Sequence, residues 1–406
     1  MALCGLVALA LPAVVAVALA VVVLVAAARD ARLARAPVEV ARSLPLLLSR
    51  GVVDTLTLRV AGADIATPIE LGQAVPAGIT LGRLERAAPG VWQADVVASR
   101  RGRHVLPPVR VRRTGPLGLG TWTSAVAGET IVTVYPDLPA ARRLARAARS
   151  SATTALGQSL RGPLGLGTDF ESVREYQPDD DVRLVNWKAT ARHDRPMSNT
   201  YRVEQSRRVL VAVDCGRLSA APVGGVARLD ATVDAAAAVA LAADAAGDRV
   251  GLLAYDDGLR AAVRPVTGGG AAVLRALADL EPRSVDSDAE LVLRGLPRGQ
   301  RSTLMVFTDL LDEASARSLL TLLPAVAVRH AVAVVSVVDT DLAAVLHRPP
   351  GDRREASLVA AVADLLEARL RARTLLRRAG AVVVEAPPER LAAACVAAYL
   401  SGAVRR

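Results

Sequence analysis

One stretch of the 406-residue chain concentrates the side chains that could do chemistry. Between Gly167 and Glu204 lie Arg174, Glu175, Tyr176, Asp180, Asp181, Arg183, Asn186, Trp187, Lys188 and Arg192, in a chain poor in aromatics whose only lysine is Lys188. Asp180 or Asp181 as a base and Lys188 as an electrophile would make a hydrolase-type enzyme of segment 171–192. Nothing nearby supplies a nucleophile or a phosphate cradle, so that is the alternative reading, and the chain is expected not to be an enzyme. The charges are better read as neutralising one another. Glu171, Glu175 and Asp194 against Arg174, Arg183, Lys188 and Arg192 predict a buried or half-buried network that docks this segment onto the domain C-terminal to it. Such a network gives geometric specificity at a desolvation cost. Asp179–Asp181 after Pro178 predict a turn capping a short helix. A second set of candidates, Asp214, Asp309 and Asp339, closes the apolar runs RRVLVAVDC, STLMVFTDLL and VRHAVAVVSVVD.

The elements that position these groups follow from hydropathy. Over 206–406 the apolar runs alternate with Ala/Leu-rich stretches of helical period at 228–246, 271–280, 312–323, 355–378 and 388–399. That pattern predicts an α/β domain with a mainly parallel, doubly wound sheet, whose functional groups gather at the carboxyl ends of strands. Segment 167–205 precedes it, and 137–166 reads as a linking helix and loop. From 37 to 136, short alternating runs broken by Gly, Pro and Asp predict a small antiparallel β-sandwich. The turn Ser99–His104 within it carries arginines expected to be solvated. Residues 2–28 hold no charge, which predicts a transmembrane anchor at 1–28 with the lipid bilayer as its partner. Arg29, Arg32, Arg35 and Arg42 follow it, so the positive-inside rule places the bulk of the chain in the cytoplasm, at the cell membrane.

Composition narrows the classes. Apolar residues make up 52% and aromatics 2%, so the cores must be built from Ala, Val and Leu, and the net charge of +10 is carried almost wholly by arginine. This is a GC-rich, bacterial style of usage. The arginines are mixed with acids and lack an interleaved aromatic stripe, so nucleic acid is not expected as a partner. Cys4, Cys215 and Cys395 are too scattered for a disulfide framework, and the four histidines for a zinc site. Gly268–Gly270 lacks the lysine and hydroxyl of a P-loop.

The run VREYQPDDDVRLVNWKATAR resembles the signature of the domain of unknown function 58 family. The matching positions are Arg174, Glu175, Tyr176, Asp180, Asp181, Arg183, Asn186, Trp187, Lys188, Ala191 and Arg192, with Asp179 where the family usually has glycine. Arg101-Gly102 and Val134-Tyr135-Pro136 resemble the family's membrane-proximal β segment. The resemblance implies a membrane-anchored binding and assembly module acting with a MoxR-type AAA+ ATPase in the maturation of partner proteins. Members usually begin with two transmembrane helices; one span is evident here. The domain behind 206 resembles a von Willebrand factor A-like domain, which implies a magnesium site opening with Asp-x-Ser-x-Ser. Here Gly216 and Leu218 take the serine positions, and Ser219 is one residue out of register. Asp214, Ser219 and Asp309 are therefore candidates for a degraded site, and no cofactor is expected to be resident. Asp214 and Asp309 are expected instead to cap helix N-termini.

Overall fold

A computed structural model describes residues 13–45, 47–61, 68–159, 164–177, 182–202, 207–296, 301–310 and 313–401. Two units divide between Asp137 and Leu138.

The first unit opens with the helix Ala13–Ala34. The transmembrane helix expected at 1–28 is not supported: among the described residues no helix is long and apolar enough to cross a membrane. Arg29, Asp30 and Arg32 occupy the later turns of the described helix. Residues 2–12 of the expected span lie outside the described residues.

Asp30 instead ties the helix to the loop Gly115–Gly120. Its Oδ1 accepts from the Leu117 N–H at 2.8 Å, and its Oδ2 from the N–H groups of Leu119 at 2.8 Å and Gly120 at 2.9 Å. The loop must be glycine-rich to come so close. A Cβ on Gly115 would stand 2.3 Å from the Asp30 carboxylate, and one on Gly120 would stand 2.6 Å from the Ala31 backbone. Burial opposes the charge, but the three N–H donors outweigh it and hold the carboxyl below its ordinary 3.8. A carboxylate with a depressed folded value stabilises above the unfolded value, and that stability is lost as pH falls through the folded one. Acid below pH 3.8 is therefore expected to release this loop. Trp122, whose ring lies 4.4 Å from the Arg35 guanidinium carbon, is the reporter. In a chain retaining Trp122 as its only tryptophan, its fluorescence should show an acid transition that Asp30→Asn removes. The same transition in the variant would refute the assignment.

Short strands follow in three small sheets. One runs Glu39–Ser43, Val53–Ala61, Val91–Ala98, Ile79–Leu81, with Glu85–Ala88 also paired to Val91–Ala98. Another runs Thr121–Val126, Val109–Thr114, Ile69–Gly72, and a third Leu48–Ser49, Thr130–Tyr135, Gly102–Leu106. Alternation does the packing: Leu56 and Leu58 from the first sheet meet Val109 and Val111 from the second, two residues apart in each strand and so on one face. Pairing is antiparallel except between Leu48–Ser49 and Thr130–Tyr135. Arg101, expected to be solvated, is buried.

The second unit begins with α1 (Leu138–Ser159). It is no free linker. Leu138, Ala141, Ala145 and Ala148 are buried along one helical face, and this face packs on α3 (Arg228–Ala245). A hairpin of Leu164–Glu175 and Met197–Arg202 encloses α2 (Trp187–His193). The main sheet has six strands: β1 (Arg208–Asp214), β2 (Arg249–Tyr255), β3 (Leu259–Val266), β4 (Thr303–Phe307), β5 (Ala331–Val337) and β6 (Val382–Ala386). Their order is β3-β2-β1-β4-β5-β6, parallel except for β3 at the edge. Strands buried on both faces need unbroken apolar runs, which is why β1 reads RVLVAVD rather than alternating.

Leu210 and Ala212 of β1 face one way, toward α6 (Glu313–Ala327) and α8 (Arg353–Arg378), in a cluster with Leu304, Val306, Leu319 and Leu376. On the other side α3 packs against β1 and β2 and against α4 (Gly270–Ala278), while α5 (Glu290–Gly295) packs on α6. Helix α3 is buried nearly all round because α1 and α9 (Pro388–Leu400) cover it in turn. Only a helix of small residues fits between a sheet and a second helical layer, and α3 is largely alanine. Asp248, after α3, accepts from the Arg207 N–H at 2.9 Å and from the Tyr399 hydroxyl at 2.5 Å, fastening α9 to the start of β1.

Candidate functional site: the signature segment and the strand-end rim

Asn186 organises the signature segment. Its Oδ1 accepts from the Ala189 N–H at 2.9 Å, capping α2, while its Nδ2 donates to Asn199 Oδ1 at 2.8 Å across to the returning strand. The Asn186 N–H donates to Met197 O at 2.8 Å, and the Met197 N–H to Thr190 Oγ1 at 3.0 Å. Asp194 ends the helix in the left-handed conformation, with φ of 54°. Glu175 pairs with Arg195, Arg174 donates to the Glu175 carbonyl, and the Tyr176 N–H donates to the Pro196 carbonyl.

Among the described side chains the expected buried network does not form; the Glu171 side chain lies outside them. Glu175 and Arg195 are more than half exposed, Lys188 and Arg192 are exposed, and Trp187 is 72% exposed. The short helix has no buried residue, so burial cannot act on its charges. Asp180 and Asp181 lie outside the described residues, and Arg183 sits in the turn Val182–Leu184, its side chain also outside them.

The strand-end aspartates gather at a switch point. β1 and β4 are neighbours, and the chain leaves β1 for α3 on one face and β4 for α6 on the other, so a crevice opens between their carboxyl ends. Asp214 fills it with hydrogen bonds: Oδ1 accepts from the Gly216 N–H at 2.9 Å and from the Ser287 hydroxyl, and Oδ2 accepts from the Thr308 hydroxyl at 2.6 Å. Ser219 does not reach this cluster. Its buried hydroxyl donates to the Gly216 carbonyl at 2.6 Å. Tyr255, fully buried beneath, has its phenol pushed up first by burial and then by the Asp214 charge. Asp256 holds the next position, accepting from the Gly258 N–H at 3.0 Å and pairing with Arg260 and Arg283.

Asp309 is buried and pairs with the equally buried Arg228, which opens α3. From there a chain of polar contacts crosses the rim. Ser336 Oγ donates to Asp309 at 3.4 Å and accepts from Arg369 at 2.9 Å. Arg369 also donates to the Val337 carbonyl at 2.7 Å and to Glu385 at 2.9 Å, and Glu385 accepts from Arg373 at 3.2 Å. Asp214 is not an N-cap: Gly216 opens the single-turn helix Arg217–Ala220, and residues 311–312, which lead from the end of β4 and Asp309 into α6, lie outside the described ones. Asp339 is an N-cap: it accepts from the Asp341 N–H at 3.0 Å at the start of α7 (Thr340–Leu346).

A magnesium ion needs hard oxygen donors in near-octahedral array, and the rim fits it poorly. Gly216 and Leu218 offer no side-chain oxygen, Asp309 already holds a guanidinium, and among the described residues no group of three His, Cys, Asp or Glu side chains could hold a metal. Restoring the missing hydroxyl by Gly216→Ser would put a Cβ 2.1 Å from Ser287 Oγ and 2.9 Å from the Val285 carbonyl. That variant is expected to lose about 1–3 kcal/mol by overpacking, read by urea unfolding; unaltered stability would show that the loop gives way freely.

Sequence reasoning missed Ser287, Arg228, Arg369 and Glu385. Two had a signal. An arginine in the first turn of an Ala-rich helix opposes the helix dipole and calls for a carboxylate, and Glu385 interrupts the apolar run VVVEA. Ser287 had none, being 73 residues from Asp214. Cys215 and Cys395 are buried and in no disulfide, and burial pushes the Cys395 thiol up to about 12.

The family model described as "Protein of unknown function DUF58" matches residues 172–349, which carry both the signature segment and the rim as far as α7. Similar proteins include ones described as uncharacterized from Mycobacterium bovis and from two strains of Mycobacterium tuberculosis, each 29% identical over 184 residues. The aligned stretch covers 43% of this chain and 56% of each relative, so the chain spans little more than half the length of the relatives it matches.

Proposed function

We propose that this chain is a protein-binding and assembly module whose contact surface includes the signature segment, and that its partner is a MoxR-type AAA+ ATPase, as the family resemblance implies. One observation carries the reading: Trp187 stands 72% exposed on a helix held firmly by Asn186, Thr190 and Asn199. An exposed tryptophan costs solvation and returns nothing to the fold. Presented on a backbone held by these bonds, it is the kind of anchor that dominates protein interfaces. Lys188 and Arg192 beside it are exposed cations, which suit an acidic rim on the partner. The hydrolase-type reading gains no support, because Lys188 lies in solvent rather than in a water-excluded cleft.

The test is direct titration of the purified chain with the MoxR-type ATPase of the same organism. Saturable binding is expected, and Trp187→Ala should weaken it by about 30-fold, the effect of an interface anchor. Absence of binding by the unaltered chain would remove the proposed partner. Undiminished binding by the variant would remove the proposed surface.

A further inference from the structure

We infer that Arg228 is the resident cation of the strand-end rim, and that the rim keeps its structure without a divalent ion. Three observations carry this. First, Asp309, one of the two carboxylates of the candidate metal site, is 3% exposed at its side chain and is paired with Arg228, itself 8% exposed. A guanidinium does not lose its proton in a protein, so this is a fixed positive charge. Second, both oxygens of Asp214 already accept from protein donors, and the loop beside it has no space for another side-chain oxygen at Gly216. Third, the charge of Arg228 is set within a larger balance: Arg369 and Arg373 against Glu385, joined to Asp309 through Ser336. A second cation brought beside Asp309 would meet a buried guanidinium at close range, with that carboxylate already paired.

The arrangement also explains why an arginine begins α3. The N-terminus of a helix repels a cation, and this one is held there by Asp309 rather than by the helix. Burial opposes its charge first, Arg369 adds to that, and Asp339 acts in favour, so its pKa lies below the ordinary arginine value. What a partner would meet at the crevice is therefore a neutralised, hydrogen-bonded floor, not an open coordination position waiting for its carboxylate.

The experiment uses the full chain. Thermal unfolding is followed in EDTA and in rising magnesium and manganese. The melting temperature is expected to be the same throughout, because a ligand raises it only by binding the folded state in preference to the unfolded one. A saturating rise with either metal would overturn the inference. Arg228→Gln, Asp309→Asn and the double variant then test the pair. Each single change should lower the melting temperature, with the double variant no worse than the more damaging single one. Additive losses would overturn the assignment of Arg228 to Asp309. Should a single variant fail to fold, the metal titration of the unaltered chain still decides. Neither measurement involves the Trp187 surface, so the two readings fail separately.

Discussion

Arg369→Ala is expected to destabilise the second unit by about 3–5 kcal/mol, the usual consequence of removing one partner from a buried ion pair. The side chain is 10% exposed and serves three acceptors on two strands: Glu385 on β6, and Ser336 and the Val337 carbonyl on β5. Truncation leaves Glu385, itself 14% exposed, with Arg373 as its remaining cation, and strips the Ser336 hydroxyl and a main-chain carbonyl of a donor. Arg371, two residues on along α8, makes the contrast. It pairs with Glu367 at 2.8 Å while both side chains are more than half exposed. Arg371→Ala should cost no more than about 0.5 kcal/mol, as exposed helix pairs do. Equilibrium unfolding in urea compares the two; equal losses would show that burial is not what gives Arg369 its weight. Replacing Arg369 and Glu385 together by methionine should recover much of the loss, since an apolar pair carries no desolvation cost.

Trp187→Ala separates folding from binding. A tryptophan buried in a docking network would cost about 3–5 kcal/mol on truncation. At 72% exposure it has almost no packing to lose, and the fold should change by less than about 0.5 kcal/mol. The same substitution should remove about 2 kcal/mol of partner affinity, roughly 30-fold. Stability by denaturation and affinity by titration on one preparation give both numbers. A large stability loss would mean that the ring is covered in the folded chain, and the signature would then be a structural element.

The architecture of the second unit is legible in hydropathy because parallel strands advertise themselves. Residues 208–214, 249–255, 303–307 and 331–337 are continuous apolar runs, which only burial on both faces explains. The alternation of Leu56 with Leu58 and of Val109 with Val111 is equally legible. The N-terminal helix departs from its expectation because its described part, Ala13–Ala34, is not long and apolar enough to cross a membrane. The described helix carries charge from Arg29 onward, and Asp30 is engaged by a loop almost ninety residues away, where a run-length argument cannot see it. The 137–166 stretch departs for a related reason. Its arginines suggest solvent, while the buried face is made of small alanines that carry little hydropathic signal.

By itself, the order of residues determined where the parallel strands of the second unit lie, which aspartates stand at the ends of β1 and β4, and that 172–192 carries an unusual motif. These are local properties, set by periodicity and by side-chain type over a few turns. Which groups meet was decided by the tertiary structure: Ser287 and Thr308 on Asp214, Arg228 on Asp309, Arg369 between β5 and β6, and Trp187 left in solvent. The physical reason is that a charge's environment depends on elements brought together from far along the chain. The same arginine is a surface ion in one arrangement and a buried counter-ion in another.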